Sequence, residues 1–273
     1  LRGPALRTRR DSPGRQLRGV VGTLPGLVPR PQVHYHAWAF IAWTPGLSSP
    51  DDSEDRQALT IYTGLSATET ARLDSLASCK KLQSGDYLFH QHTPGRSVYM
   101  LEEGMLMMER SSSSGRRQVM AFIHPGNFIG ITHNEHYEFT VSALSPSSVR
   151  EIPLKPFIAL QDDMPQLQEN VRRIGGNILA HTLDQVFALG QKKAHERVCF
   201  LLKQLSDRRP ARQRHLIDLV MTRQDIADYL GLTIETVSRA FGKLKQEGTI
   251  DIYSAHTVEI LDRQRVDELA LAD

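Results

Sequence analysis

Four side chains in the stretch TRQDIADYLGLTIETVSRAFGKLKQEG (222–248) have types and spacing suited to touching something outside the chain. If the segment after Thr233 is helical, Ile234, Glu235, Ser238 and Arg239 stand at i, i+1, i+4 and i+5. They then form one outward patch on the first turns of that helix. An arginine there can donate two hydrogen bonds to guanine O6 and N7. Glu235 can accept from a cytosine amino group and, four residues before Arg239, hold its fork in register. Ser238 and Ile234 can approach a thymine methyl. Thr222, Arg223, Thr233, Lys243 and Lys245 are placed for phosphates, which orient a protein on a duplex without specifying sequence. A plain surface Glu–Arg pair, worth about 0.2–0.5 kcal/mol, accounts for neither the basic surroundings nor the two flanking caps.

Two short helices position that patch. Thr222 is a natural N-cap, with Asp225 as its acidic partner at the third helical position. Ile226, Ala227 and Leu230 give the inner stripe, and Gly231 allows the positive φ that ends the helix. Thr233 caps the second helix, Val237, Ala240, Phe241 and Leu244 face back to the first, and Gly248 ends it. The pattern predicts a helix-turn-helix. The runs TIDIY and TVEIL, separated by SAH, predict a β-hairpin and hence a winged variant. The bland alternative is a generic αα-hairpin.

Charge is distributed unevenly. The net charge of the 273-residue chain is +2, but residues 1–50 carry +6, 51–190 carry −5, 191–250 carry +5 and 251–273 carry −4. A basic segment around the motif suits a polyanion partner, although a solvated surface has the same signature. No apolar run approaches 20 residues, so no membrane-spanning helix is expected, and a cytoplasmic location follows as the expectation. Cys79 and Cys199 lie far apart with no CxxC. That fits a reducing compartment and excludes a cysteine-ligated cluster or zinc finger, which need about four ligands.

The remainder of the chain divides as follows. Residues 1–55 are rich in Pro, Gly and Arg without apolar period, and read as a disordered or mis-started extension. Residues 56–162 open with a capped helix at 64–78, where Ser66 and Glu69 form a capping box. Short strand-like runs follow, punctuated by Gly85, Gly95, Gly104, Gly115 and Gly126, which predicts a jelly roll with SSSSG (111–115) as a hairpin tip. Residues 163–190 predict one long helix. Leu167, Val171, Ile174 and Ile178 step by the spacing of a coiled-coil seam, and are expected to join two copies of the chain. Leu179, Leu183 and Val186 are expected to face the rest of the protein. Residues 191–273 hold a further amphipathic helix and the winged helix-turn-helix. The fold class expected is α+β.

These residues resemble the cyclic-AMP receptor/fumarate-nitrate regulator (CRP/FNR) superfamily from about 64 to 262. LFHQHTPGRSVYMLEEGMLMM and HPGNFIGI are similar to its β-roll, a double-stranded β-helix of the cyclic-nucleotide-binding type. TRQDIADYLGLTIETVSR is similar to the fumarate-nitrate branch, FixK-like regulators especially. The resemblance implies a homodimeric DNA-binding transcription regulator, most simply an activator that contacts RNA polymerase through its β-roll. It implies a TTGA-N6-TCAA-like palindrome read by Glu235, Ser238 and Arg239, and control of microaerobic or anaerobic respiration, denitrification or nitrogen fixation. Cyclic-nucleotide binders of the family follow a Gly-Glu-Leu turn with Arg-Ser. This chain has GNFIGITHNEH and then YEFTVSAL, so no cyclic nucleotide is expected. No cofactor or metal is expected either.

Two other readings stay open. A haem-based nitric oxide or redox sensor of the same family is one. The other is a cupin-like metalloenzyme, because His90-Gln-His92 would place two imidazoles on one strand face, with His133 and His136 in a later loop. Cupin spacing wants a Glu close behind, and the next acid is Glu102. No nucleophile elbow, phosphate loop or dinucleotide fingerprint appears, so no catalytic residue is assigned.

Overall fold

The computed structural model describes residues 59–132, 135–209, 213 and 215–271. The expectations for residues 1–55 and His133 lie outside the described residues. Helix α1 (Ala67–Leu76) starts at the predicted capping box: the Ser66 hydroxyl accepts from the Glu69 N–H while the Glu69 carboxylate accepts from the Ser66 N–H. Eight strands follow: β1 (Ser78–Leu82), β2 (Tyr87–Phe89), β3 (Ser97–Glu103), β4 (Leu106–Ser111), β5 (Arg117–Ile123), β6 (Phe128–Ile129), β7 (Thr140–Ala143) and β8 (Ser147–Pro153). They make two four-stranded antiparallel sheets, ordered β1-β8-β3-β6 and β2-β7-β4-β5. Alternating inward residues such as Leu88, Leu101, Leu106, Val141 and Val149 fill the space between them. Gly104 turns β3 into β4 at φ +87°, where a Cβ would strike the Pro146 carbonyl at 2.4 Å. This is the jelly roll that the glycine spacing predicts.

Helices α2 (Leu154–Asp163) and α3 (Pro165–Gln191) cover the outer face of the first sheet. The sequence reading ran the β-roll straight to residue 162 and did not resolve α2. Asn170 of α3 is fully buried, and its amide donates to the Ile61 and Thr63 carbonyls, tying the segment before α1 to this helix.

The assignment of faces on α3 requires correction. Leu167 and Ile174 are buried and Val171 is half-buried, all against Ile61, Leu73, Val98, Phe128, Ile152 and Phe157 of the same chain. They are core residues, not a seam. Ile178 keeps an exposed position at 52%, and so do Leu179, Leu183, Val186 and Phe187, which were expected to face inward. The heptad spacing is real, but the β-roll ends beside Gly175, so one register has an intramolecular partner for the first half only.

After a two-residue break at Lys192–Lys193, α4 (Ala194–Asp207) leads into β9 (Leu216–Asp218), α5 (Arg223–Leu230), α6 (Ile234–Gln246), β10 (Ile250–Ile252), β11 (Thr257–Ile260) and α7 (Arg263–Leu271). Strands β10, β11 and β9 form a small antiparallel sheet with β11 in the middle. Helix α7, which the sequence reading did not assign, packs Val266, Leu269 and Ala270 into the core shared by α4, α5 and α6.

Leu167→Ala is expected to lower the unfolding free energy by about 2–5 kcal/mol, the cost of an enlarged core cavity. Urea unfolding curves measure it; a loss under about 0.5 kcal/mol, the level of an ordinary surface change, would put Leu167 outside the core.

Candidate nucleic-acid interface

The helix-turn-helix is built as its sequence predicts. Thr222 caps α5, its hydroxyl accepting from the Asp225 N–H while the Asp225 carboxylate accepts from the Thr222 N–H at 2.9 Å. Gly231 ends α5 at φ +61°, and a Cβ there would meet Leu189 at 3.4 Å. Thr233 caps α6, accepting from the Thr236 N–H. Val237, Ala240, Phe241 and Leu244 are buried against Ile226, Ala227 and Leu230. The crossing fixes which face of α6 is left bare.

Ile234, Glu235, Ser238 and Arg239 all lie on that bare face, with Ile234 at 39% exposure. One detail differs from the expectation. The Arg239 fork is held by Thr236, whose Oγ1 accepts from Arg239 Nη2 at 3.2 Å, and Thr236 in turn hydrogen-bonds Thr233 Oγ1 at 3.1 Å. Glu235 is occupied at the helix start. Its own backbone N–H and the Thr233 side chain, with Arg239 acting only through charge, hold its carboxyl below the usual range. The carboxylate sits at the positive end of the helix dipole, where anions are favoured.

The expected phosphate contacts are placed less uniformly. Thr222 and Thr233 are exposed at the two N-caps, and Lys243 and Lys245 are exposed on α6. Lys245 pairs with Asp251 at 2.8 Å on β10, and Lys243 donates to His195 Nε2 at 3.3 Å. Burial, then the Lys243 ammonium, pushes the His195 imidazolium pKa down. Arg223 is half-buried: its guanidinium lies over the Phe241 ring at 3.9 Å and its Nη1 is buried without a hydrogen-bond partner. In this arrangement it braces the α5–α6 crossing, and only its remaining nitrogens could meet a phosphate.

Sequence reasoning missed the groups that hold the motif to the rest of the chain. Arg117 of β5 contacts Asp225 at 2.5 Å, Asp228 at 2.7 Å and Glu109 at 3.1 Å. Arg197 of α4 donates to the Leu230 carbonyl at the end of α5. Nothing in their local sequence marks them.

The histidines do not assemble as the metalloenzyme reading required. His90 and His92 flank an exposed turn in which His92 has φ +68°, and they share no strand face. Among the described residues no cluster of three His, Cys, Asp or Glu could hold a metal ion, and no helix is long and apolar enough to cross a membrane.

Residues 219–250 match the family described as bacterial regulatory proteins, crp family, and residues 79–163 match the cyclic nucleotide-binding domain. The nitrogen fixation regulation protein FixK of Bradyrhizobium diazoefficiens is 33% identical over 214 residues, spanning 78% of this chain and 90% of that protein. The chain belongs to the CRP/FNR family of transcription regulators. The transcriptional activatory protein AadR of Rhodopseudomonas palustris is 34% identical over 218 residues, 79% of this chain and 91% of the relative. The solved structure of FixK2 from Bradyrhizobium japonicum superposes with a TM-score of 0.68 at 29% identity, covering 72% of this chain and 98% of that one. The chain is therefore a FixK-like CRP/FNR regulator with a DNA-binding helix-turn-helix, and its relatives are regulators rather than enzymes. The β-roll and winged architecture predicted for an α+β regulator is the observed one.

The Asp225 carboxyl offers a pH handle on this regulator's motif. Burial alone would raise it, but the hydrogen bonds from Thr222 and Arg117 outweigh burial and hold it below its ordinary value of 3.8. A depressed carboxyl contributes stability that is present above that ordinary value and lost as pH falls through the folded one. Asp225→Asn should therefore flatten the acid limb of the stability–pH curve below pH 3.8. Denaturant midpoints measured between pH 5 and the acid transition check this, and parallel curves would rule the contribution out.

Proposed function

We propose that two copies of this chain bind a TTGA-N6-TCAA-like palindrome, each placing α6 in one major groove. The observation that carries the reading is the bare face of α6. Ile234, Glu235, Ser238 and Arg239 are exposed together, with Arg239 already held by Thr236. Four-base half-sites six base pairs apart have centres separated by about ten base pairs, one helical turn, the spacing of a two-fold pair of such motifs. Arg239 reads guanine through a two-point hydrogen bond, Glu235 accepts from a cytosine amino group, and Ser238 with Ile234 meets a thymine methyl. Thr222, Thr233, Lys243 and Lys245 hold phosphates, and Arg223 does so through the nitrogens that Phe241 leaves free.

The second copy docks along the C-terminal half of α3. Ile178, Leu179, Leu183, Val186 and Phe187 are large, apolar and 45–61% exposed, the composition of a face that a twin helix covers. Apart from the adjoining backbone of α3 itself, no described atom lies within 4 Å of a notional Cβ at Gly175 or Gly176, which leaves room for a close helix approach. The β-roll surface is offered to RNA polymerase, which makes the regulator an activator, as the printed names of AadR and of the anr protein of Pseudomonas aeruginosa state for those relatives. The regulated genes are those of microaerobic or anaerobic respiration, denitrification or nitrogen fixation, the last named for FixK itself. No cyclic nucleotide is needed. The segment after Gly126 carries no Arg-Ser pair for a phosphate, and Phe89 stacks on Tyr137 at 3.9 Å within the roll.

Arg239→Ala should weaken binding by about 1–3 kcal/mol and relax preference at the paired guanine. Gel shifts on the palindrome and on single-base variants measure both; unchanged affinity and preference would remove Arg239 from the reading set. Leu183→Glu should yield monomers in sedimentation velocity, with poor binding to the full palindrome. A dimer that persists would move the interface elsewhere.

A further inference from the structure

Two arginines from outside the helix-turn-helix grip α5 at its opposite ends. At the N-terminal end Arg117 reaches over from β5. Its Nη2 lies 2.5 Å from Asp225 and 2.7 Å from Asp228, its Nε donates to Asp228 at 2.8 Å, and its Nη1 donates to Glu109 at 3.1 Å. Beside it, the Gln118 amide donates to the main-chain carbonyls of Asp228 and Tyr229. At the C-terminal end Arg197 donates from Nη1 to the Leu230 carbonyl and from Nε to the Lys192 carbonyl, both at 2.9 Å. Lys192 is the break between α3 and α4, so the second arginine fastens α5 directly to the end of the long helix. Between the two grips, Met107, Val119 and Phe122 of the β-roll join the core of the DNA-binding unit, with the Phe122 and Tyr229 rings 5.0 Å apart.

None of these groups lies on the reading face of α6. They fasten α5 to the β-roll on one side and to the end of α3 on the other. Arg117 is suited to the task because a planar guanidinium offers five donors in a fixed fork, and here it meets three carboxylates in different directions. Its partners are poorly exposed, at 9%, 16% and 13% for Asp225, Asp228 and Glu109, so water competes weakly.

We propose that Arg117, seconded by Gln118, is a positioning residue that sets the half-site spacing this regulator accepts. The inference rests on the dimeric, DNA-reading interpretation above. Adding or removing one base pair shifts a half-site by about 3.4 Å along the duplex axis and about 35° around it. Two recognition helices on rigid mounts cannot follow both displacements. Two helices on loosened mounts can, because the apolar contact through Val119 and Phe122 holds the units together without fixing their rotation.

The test uses the full chain and three duplexes whose TTGA and TCAA halves are separated by five, six or seven base pairs, with affinity read by fluorescence anisotropy. Wild-type protein should prefer the six-base-pair duplex by at least about tenfold. Arg117→Gln, checked for folding by thermal melting, should compress that preference to about threefold or less while leaving base preference within each half-site unchanged. A merely destabilised protein would lose active fraction equally on all three duplexes. Arg117→Lys should not restore the preference, since a point charge cannot serve three carboxylates. If Arg117→Gln does not fold, Gln118→Ala, which strands no charge, should shift the preference in the same direction. An unchanged preference in a folded variant overturns the proposal. So does tighter binding of the six-base-pair duplex, which would make the contact a restraint on DNA binding. A fourth duplex keeps the six-base-pair spacing with both halves scrambled: wild-type protein that binds it as tightly as the palindrome defeats the underlying DNA reading, whereas wild-type protein that rejects it but binds the three spacings equally overturns the Arg117 proposal alone.

Discussion

The chain reaches everything C-terminal to residue 191 through one long helix whose two halves are unequally covered. The first half of α3 is sealed by the β-roll through Leu167 and Ile174, and anchored by the buried Asn170 amide. Beyond Gly175 the side chains of Ile178, Leu179, Leu183, Val186 and Phe187 are exposed, and only near the end of the helix is Ala188 buried again. Helices in proteins draw most of their stability from a buried face, and two adjacent glycines add a penalty of about 2 kcal/mol. A helix of this kind persists when its bare half is covered. Its length, about 40 Å at 1.5 Å per residue, then makes it a strut running from the β-roll to the DNA-binding unit, which also packs on the β-roll directly through Val119 and Phe122.

The DNA-binding unit turns that strut into an aimed surface. Small Ala227 lies where α5 and α6 pack, Gly231 turns the chain between them at positive φ, Arg223 braces the crossing against Phe241, and the caps at Thr222 and Thr233 fix where each helix begins. Two exposed side chains of α6 are tied at its start, Arg239 to Thr236 and Glu235 to Thr233.

Legibility in the sequence followed the range of each signal. The caps at Ser66, Thr222 and Thr233 and the turn at Gly231 are local, and each stands where its residues predicted. Arg239's partner was assigned by spacing alone to Glu235; at the helix start Thr233 and a main-chain N–H compete for that carboxylate, and Thr236 takes the fork. The two faces of α3 carry the same heptad spacing, so periodicity could not tell a face buried by its own β-roll from one left bare. A β-bulge hid that Phe122 shares the face of Arg117 and Val119: Met108 and Glu109 pair with Ala121 and Val119, leaving Met120 as the extra residue. The bulge breaks strict alternation along β5, so a period-two reading does not bring Arg117, Val119 and Phe122 to one face.

The two thiols of the chain differ in a way that has practical value. Cys199 is buried among apolar side chains, and that burial pushes its pKa up to about 12, so it stays protonated and sheltered from electrophiles. Cys79 is exposed on β1, the edge strand of its sheet. The described fold therefore carries a built-in attachment point for a spin label or fluorophore, on an edge strand of the β-roll and far in sequence from α6, with no engineered cysteine and its one companion thiol buried.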